Sequence, residues 1–304
     1  RTVRHFVGDR AIRWRGDCLP RSFHNMELVP TIAVHYDPGS PNSEVLSFAA
    51  GFSTQTRLSV TLLVPDTSAE TDAEIKSIFD IAIDQQTSDP VNVVRISDSL
   101  DSLPESVRLL LPFRCLVIGV NETIDFETIA GATRDSRAFI RLADQVIRIP
   151  SRPSNSRPGI RHLVVPIDDE SESEMLLSAA QEWASRLECD VAIVHAVGML
   201  AAVSPHPLPM PCALDSVVSG IAENLNCQAI PLRNSGIDVS IIVDFGDLRS
   251  VMESSGIDIT AALAICGPGH NRNKWWFIDR SVLRMFLKQL SIPVLSVNDS
   301  NFRS

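Results

Sequence analysis

From residue 31 onward, short runs of consecutive apolar residues alternate with stretches in which apolar residues return at helical spacing. The runs at 31–37 (TIAVHYD), 58–64 (LSVTLLV), 91–96, 115–120 (CLVIGV) and 145–149 (QVIRI) read as strands. They are apolar at successive positions, the pattern of strands buried on both faces. Between them the spacing predicts a helix over 42–56, with Val45, Leu46, Phe48, Ala49 and Phe52 on one face. A second is predicted over 68–86, with Ile75, Ile78, Phe79 and Ala82 together, and others over 104–111 and 129–143. Strands that alternate with helices in this way imply an α/β architecture, with a parallel sheet covered by helices on both faces.

Residues 151–159 (SRPSNSRPG) break the pattern, with two Pro, one Gly, three Ser and no apolar residue, and read as a linker. The alternation then restarts. Strands are predicted over 162–168 (HLVVPID), 191–197 (VAIVHAV), 238–243, 261–266 and 294–297, and helices over 173–188 and 279–290. Asp37 maps onto Asp168 at an offset of 131, while Gly119 maps onto Gly267 and Ile149 onto Val297 at 148. The 17-residue difference falls after the second strand, at 198–214 (GMLAAVSPHPLPMPCAL), which reads as a Pro-rich surface loop. The expected organisation is an N-terminal extension (1–30), a first unit (31–150), the linker (151–159), a second unit of the same kind (160–298) and a tail (299–304).

Composition narrows the function classes. The net charge is −10, and both units are acidic, with 9 basic against 17 acidic residues in 31–150 and 10 against 17 in 160–304. An acidic surface argues against nucleic acid as a partner. No apolar run is long enough to cross a membrane, so no span and a cytoplasmic location are expected. The six cysteines lie far apart without a C-x-x-C pair, which fits buried thiols and indicates neither a zinc site nor a disulfide framework. Residues 1–25 carry six Arg against two Asp with no clear period, and the chain starts at Arg1. Three readings of that segment stay open: an upstream region with Met26 as the natural start, a basic tail, or the junction to a preceding domain or membrane segment.

In an open parallel sheet, ligands sit beyond the carboxyl ends of the strands, where the strand order reverses. Two features of each unit belong there: the Asp that closes the first strand (Asp37, Asp168) and the loop that follows the fourth, starting at Gly119 or Gly267. A carboxylate accepts hydrogen bonds from ribose hydroxyls or an adenine amine, and a Gly-rich loop entering a helix presents backbone N–H groups to phosphates.

The segment 161–297 resembles the universal stress protein family. The resemblance rests on VVPID, on DFGD (244–247) and on ICGPGH…DRSVL…SIPVLSV. The first unit resembles the same family through AVHYDPG, LVIGV…GAT and QVIRIP. It implies two tandem Rossmann-like domains of the adenine nucleotide alpha hydrolase-like kind, each a five-stranded parallel sheet. It also implies pairing of the two within the chain through 146–149 and 294–297.

Nucleotide-binding members of the family carry G-x-x-G, nine residues, then G-[ST]. Laid on the second unit, this frame puts Gly267 at the first Gly, His270 at the second, Arg280 at the third and Ser281 at the hydroxyl, with Gly269 beside the missing Gly. On the first unit it puts Gly119 at the first Gly, then Glu122, Ala132 and Thr133. Glu122, Asp125 and Glu127 add negative charge where phosphates would lie, so the first site reads as degenerate. His270, Arg272, Lys274 and Arg280 make the second loop basic, a charge pattern that suits an anion.

The resulting expectation is a stress-response regulator that takes ATP, with Mg²⁺, or a related adenine nucleotide in the second unit only, and has no catalytic residues, though slow ATP hydrolysis stays open. The alternative is a nucleotide-free interaction module, such as the cytoplasmic tail of a transporter-like protein. A homodimer and a protein partner stay open in both. His35 and His195 read as sheet-end histidines with satisfied hydrogen bonds rather than catalytic bases. The acids Asp168, Asp169, Glu170, Glu172 and Glu174 read as partners of a helix N-terminus rather than metal ligands.

Overall fold

The computed structural model describes residues 6–7, 10–11, 31–36, 43–65, 71–82, 91–96, 114–120, 145–150, 159–167, 170–197, 211–267, 282 and 285–297. The expected helices over 104–111 and 129–143, the linker 151–158 and most of 198–210 and 268–284 lie outside them.

Two short strands, β1 (Phe6–Val7) and β2 (Arg10–Ala11), pair antiparallel apart from the main sheet. The first unit then supplies β3 (Thr31–His35), α1 (Ser43–Thr56), β4 (Ser59–Pro65), α2 (Asp72–Ala82), β5 (Asn92–Ile96), β6 (Cys115–Val120) and β7 (Gln145–Pro150). The second supplies β8 (His162–Pro166), α3 (Glu170–Leu187), β9 (Asp190–Val197), α4 (Pro211–Gln228), α5 (Ile230–Asn234), β10 (Val239–Phe245) and α6 (Leu248–Ser254). A 3₁₀ turn (Ile259–Ala261), β11 (Ala262–Cys266), a π-helical turn (Met285–Gln289) and β12 (Val294–Val297) complete it. The α/β class with a mostly parallel, Rossmann-like sheet is the fold expected from the sequence.

All ten strands form one sheet, in the order β10-β9-β8-β11-β12-β7-β6-β3-β4-β5. Each half therefore runs 3-2-1-4-5 when counted from its own first strand. Every neighbouring pair is parallel except β7 with β12, which meet antiparallel in mid-sheet with Ile147 opposite Leu295. One face carries a continuous core, from Ile32, Val60 and Val117 to Ile147, Leu295, Leu163 and Val191, under α1 and α3. On the other face Val164, Ala264 and Val294 pack under α6 and the π-helical turn.

Local chemistry sets the ends of several elements. Thr71 and Glu74 form a reciprocal cap on α2: the Thr71 N–H donates to Glu74 Oε2 at 2.7 Å and the Glu74 N–H to Thr71 Oγ1 at 3.3 Å. Helices α1 and α3 end alike, each followed by a non-glycine residue in the left-handed region, Arg57 (φ 57°) and Glu188 (φ 52°). The next N–H reaches five residues back in both, Leu58 to Ser53 O and Cys189 to Ala184 O.

The structure corrects the loop expected over 198–214, because α4 begins at Pro211. Proline is well placed at a first helical position, where its missing N–H costs nothing. Helix α4 then lies mostly exposed, held to the core through Leu225 and, just beyond it, Ala229. Among the described residues no helix is long and apolar enough to cross a membrane.

Candidate functional site

In the second half the strand order reverses between β8 and β11, which lie side by side. Their register pairs Ala262 with His162 and Ala264 with Val164. Continued to the carboxyl ends, it brings Gly267 level with Ile167, the residue before Asp168. Ile167 and Gly267 are both buried. The first half repeats this with β3 and β6, where Val34 faces Val117, so Gly119 comes level with Tyr36, the residue before Asp37. Gly119 itself lies inside β6, opposite Ile149, and the strand covers 115–120 as the sequence predicts. Asp168, Gly269, His270, Arg280 and Ser281 lie outside the described residues, as do Asp37, Glu122 and Thr133.

The end of β8 is tied to β9 twice. The Ile167 N–H donates to Val194 O at 3.0 Å. The Ile167 carbonyl lies 2.6 Å from Nδ1 of His195, a half-buried residue of β9. A carbonyl oxygen only accepts, so Nδ1 carries the proton. His195 is thus a sheet-end histidine with a satisfied hydrogen bond, as its sequence context suggested.

The DFGD segment closes β10 at the same edge of the sheet. Gly246, at φ +134°, makes the turn, and its N–H donates to Val197 O at 3.1 Å. Asp247 then caps α6, accepting from the Ser250 N–H at 2.8 Å and from its hydroxyl at 3.1 Å. These bonds from Ser250 hold the Asp247 carboxyl below the usual carboxylate range. A value lowered in the folded state stabilises the fold above the unfolded range, and that contribution is lost as pH falls through the folded value. Asp247→Asn is therefore expected to flatten part of the acid limb of the stability profile. Urea midpoints followed into the acid range would measure this; an unchanged acid limb would show that the cap is not linked to stability.

Sequence reasoning passed over Arg148. It lies in β7, buried, and donates through Nη1 to the hydroxyl of Ser296 on β12. Burial lowers its pKa to about 10, opposed by the charge interaction with Cys266, so it stays cationic near neutral pH. Cys266 is the last residue of β11, directly before Gly267. A single Arg in an otherwise apolar strand (QVIRI) was the available signal. Two other thiols are poor nucleophiles: burial pushes Cys115 and Cys189 up to about 12.

The halves also meet through their helices. Phe52 of α1 packs on Trp183 of α3 with ring centroids 5.1 Å apart, and the indole N–H donates to Gln145 Oε1 of β7 at 2.5 Å. Arg114, before β6, pairs with Glu182 of α3.

No family model matches the chain. No curated protein matches it. Among solved structures it is similar to PA1789 from Pseudomonas aeruginosa PAO1, described as functionally unknown. The two share 14% identity over 90% of this chain and 94% of that one, with a TM-score of 0.56. It is also similar to a universal stress protein from Archaeoglobus fulgidus DSM 4304, at 13% identity over 88% and 96% of the two chains, with a TM-score of 0.45. The likeness to PA1789 shows a shared fold over nearly the whole of both chains.

Proposed function

We propose that the chain is a regulatory protein of the universal stress protein type that binds ATP, with Mg²⁺, in its second half and not its first. The observation that carries this reading is the reversal of strand order between β8 and β11, whose register, continued beyond its last pair, Ala264 with Val164, would bring Ile167 level with Gly267. Asp168 and the basic segment from Gly267 to Ser281 follow directly from those two residues. Asp168 would take the ribose or the base, and Gly267, Gly269 and Ser281 the phosphates, with His270 and Arg280 supplying charge in place of the absent glycines. Acidic residues stand at the matching loop of the first half. The reading is of binding and signalling, with slow hydrolysis of bound ATP as a measurable side question.

The same proposal takes the halves as a duplicated pair about a pseudo-twofold axis. Contacts between a residue and its own counterpart fall on such an axis. At the offset of 131, Phe52 corresponds to Trp183, and the two rings pack together. At 148, Ile147 corresponds to Leu295 and Arg148 to Ser296, and both pairs meet at the β7–β12 seam.

Calorimetric titration of the full chain with ATP and Mg²⁺ tests the nucleotide reading. One site per chain is expected, lost in Asp168→Ala and kept in Asp37→Ala. Absence of heat at millimolar ATP would overturn it in favour of a nucleotide-free interaction module. Loss of binding in Asp37→Ala alone would move the site to the first half.

A further inference from the structure

We propose that His195 is a positioning residue for the nucleotide site of the second half: its Nδ1–H holds the Ile167 carbonyl and so fixes the strand end from which Asp168 emerges. The inference rests on the nucleotide reading above. It starts from the 2.6 Å contact between Nδ1 and Ile167 O. Together with the bond from the Ile167 N–H to Val194 O, it fastens both backbone groups of that residue to β9. The peptide before Asp168 then has little freedom to turn. A carboxylate meant to meet a ribose or an adenine must be held within a fraction of an ångström to be useful.

The two halves differ at this point in a way that tracks the proposed site. In the first half the Tyr36 N–H donates to Leu63 O at 3.0 Å, which matches the bond from Ile167 to Val194 at the offset of 131. The residue that corresponds to His195 is Val64, buried in β4. An aliphatic side chain has no proton to donate. A tie donated from this strand position is therefore available in the half whose loop is basic, while the half whose loop is acidic carries Val there. A histidine needed only to fill the core would not require this difference, since Val64 fills the same place. The second ring nitrogen, Nε2, has no hydrogen-bond partner among the described residues. Among the described residues the tie through Nδ1 is the ring's polar interaction.

The test compares His195→Val, which copies the first half, with His195→Asn, whose side-chain amide can donate to the same carbonyl. Both are made in the full chain. Two quantities are read: the Kd for ATP with Mg²⁺, and amide hydrogen exchange over 166–172, with β12 as the internal control. His195→Val is expected to speed exchange over 166–172 while leaving β12 unchanged, and to weaken ATP by about tenfold, the scale of one lost hydrogen bond to a buried acceptor. His195→Asn is expected to restore both towards the wild type. Unchanged exchange over 166–172 in His195→Val would overturn the anchoring role. Equal weakening in Val and Asn variants would overturn it too, since packing and not the donor would then matter. A wild type that binds no ATP but shows faster exchange in His195→Val would sink the nucleotide reading and leave the strand-end anchor standing. Should His195→Val lose the native circular dichroism, His195→Phe keeps the ring without the donor and takes its place.

Discussion

Trp183→Ala is expected to lower the free energy of unfolding by about 3–5 kcal/mol, the usual cost of emptying a large aromatic site in a core. The indole is fully buried. It sits between three parts of the chain: its own helix α3, Phe52 of α1, and Gln145 of β7. Phe52 in turn stacks on Phe48 at 5.6 Å, so the ring continues an aromatic row from the first half into the second. The loss has two components. The cavity costs the packing of the ring against Phe52. The missing N–H leaves Gln145, itself buried in the strand at the seam, short of a partner. Trp183→Phe separates the two, because it restores ring contact without the donor and should recover all but about 1 kcal/mol. Urea unfolding followed by circular dichroism measures both. A change below about 1 kcal/mol in Trp183→Ala would show that the halves do not depend on this contact for stability.

The position of Trp183 also shows what the sequence could and could not convey. The strands were legible because each is apolar at successive positions, as strands buried on both faces must be. The two offsets, 131 and 148, were legible too, and they relate residues that meet at the centre: Phe52 with Trp183, and Ile147 with Leu295. Helix α4 was obscured because four prolines precede or begin it and few of its residues are buried, so its apolar pattern is weak. Arg148 was not singled out, since one basic residue in an apolar strand says nothing of where its guanidinium goes. Its place became evident only once β7 and β12 were paired, which brings Ser296 within reach.

Of the site, the strand ends were legible and the side-chain ties were not. A carboxylate at the close of a strand and a glycine after its neighbour are visible in sequence, and the fold pairs the two strands that lead to them, β8 and β11. The DFGD segment carried part of the family resemblance, yet in the structure its last residue caps α6. Such a motif reports the fold, because a turn between a strand and a helix needs Gly at positive φ and an acceptor at the cap. The bond from His195 to Ile167 is invisible to spacing, because 28 residues separate its partners.

Gln55→Glu is expected to destabilise the protein severely at neutral pH and to do so less as pH falls. Gln55 stands in the last turn of α1, and its amide serves backbone groups on the other half. Nε2 donates to Ile160 O at 2.7 Å and to Leu187 O at 2.6 Å, and Oε1 accepts from the Ile160 N–H at 2.9 Å. Leu187 ends α3, so its carbonyl is one of those a helix leaves without an internal partner. Ile160 leads into β8, and both its backbone groups are used. Gln55→Ala removes all three bonds and is expected to cost about 2–4 kcal/mol, the sum of a few net hydrogen bonds to partly buried groups. Glutamate goes further. An ionised carboxylate only accepts, so it keeps the bond from the Ile160 N–H and turns its second oxygen on two carbonyl oxygens. That repulsion raises its folded-state pKa above the unfolded value of about 4.3. A raised folded value makes the protonated form the stabilising one: its contribution is complete below the unfolded pKa and is lost as pH rises through the folded pKa. Between those two values Gln55→Glu should therefore gain stability on acidification relative to Gln55→Ala, whose side chain does not titrate. Urea midpoints of the two variants, measured from neutral to acid pH, should converge or cross. Parallel profiles would mean that residue 55 faces water, and that the join between α1 and the start of the second half is made by packing alone.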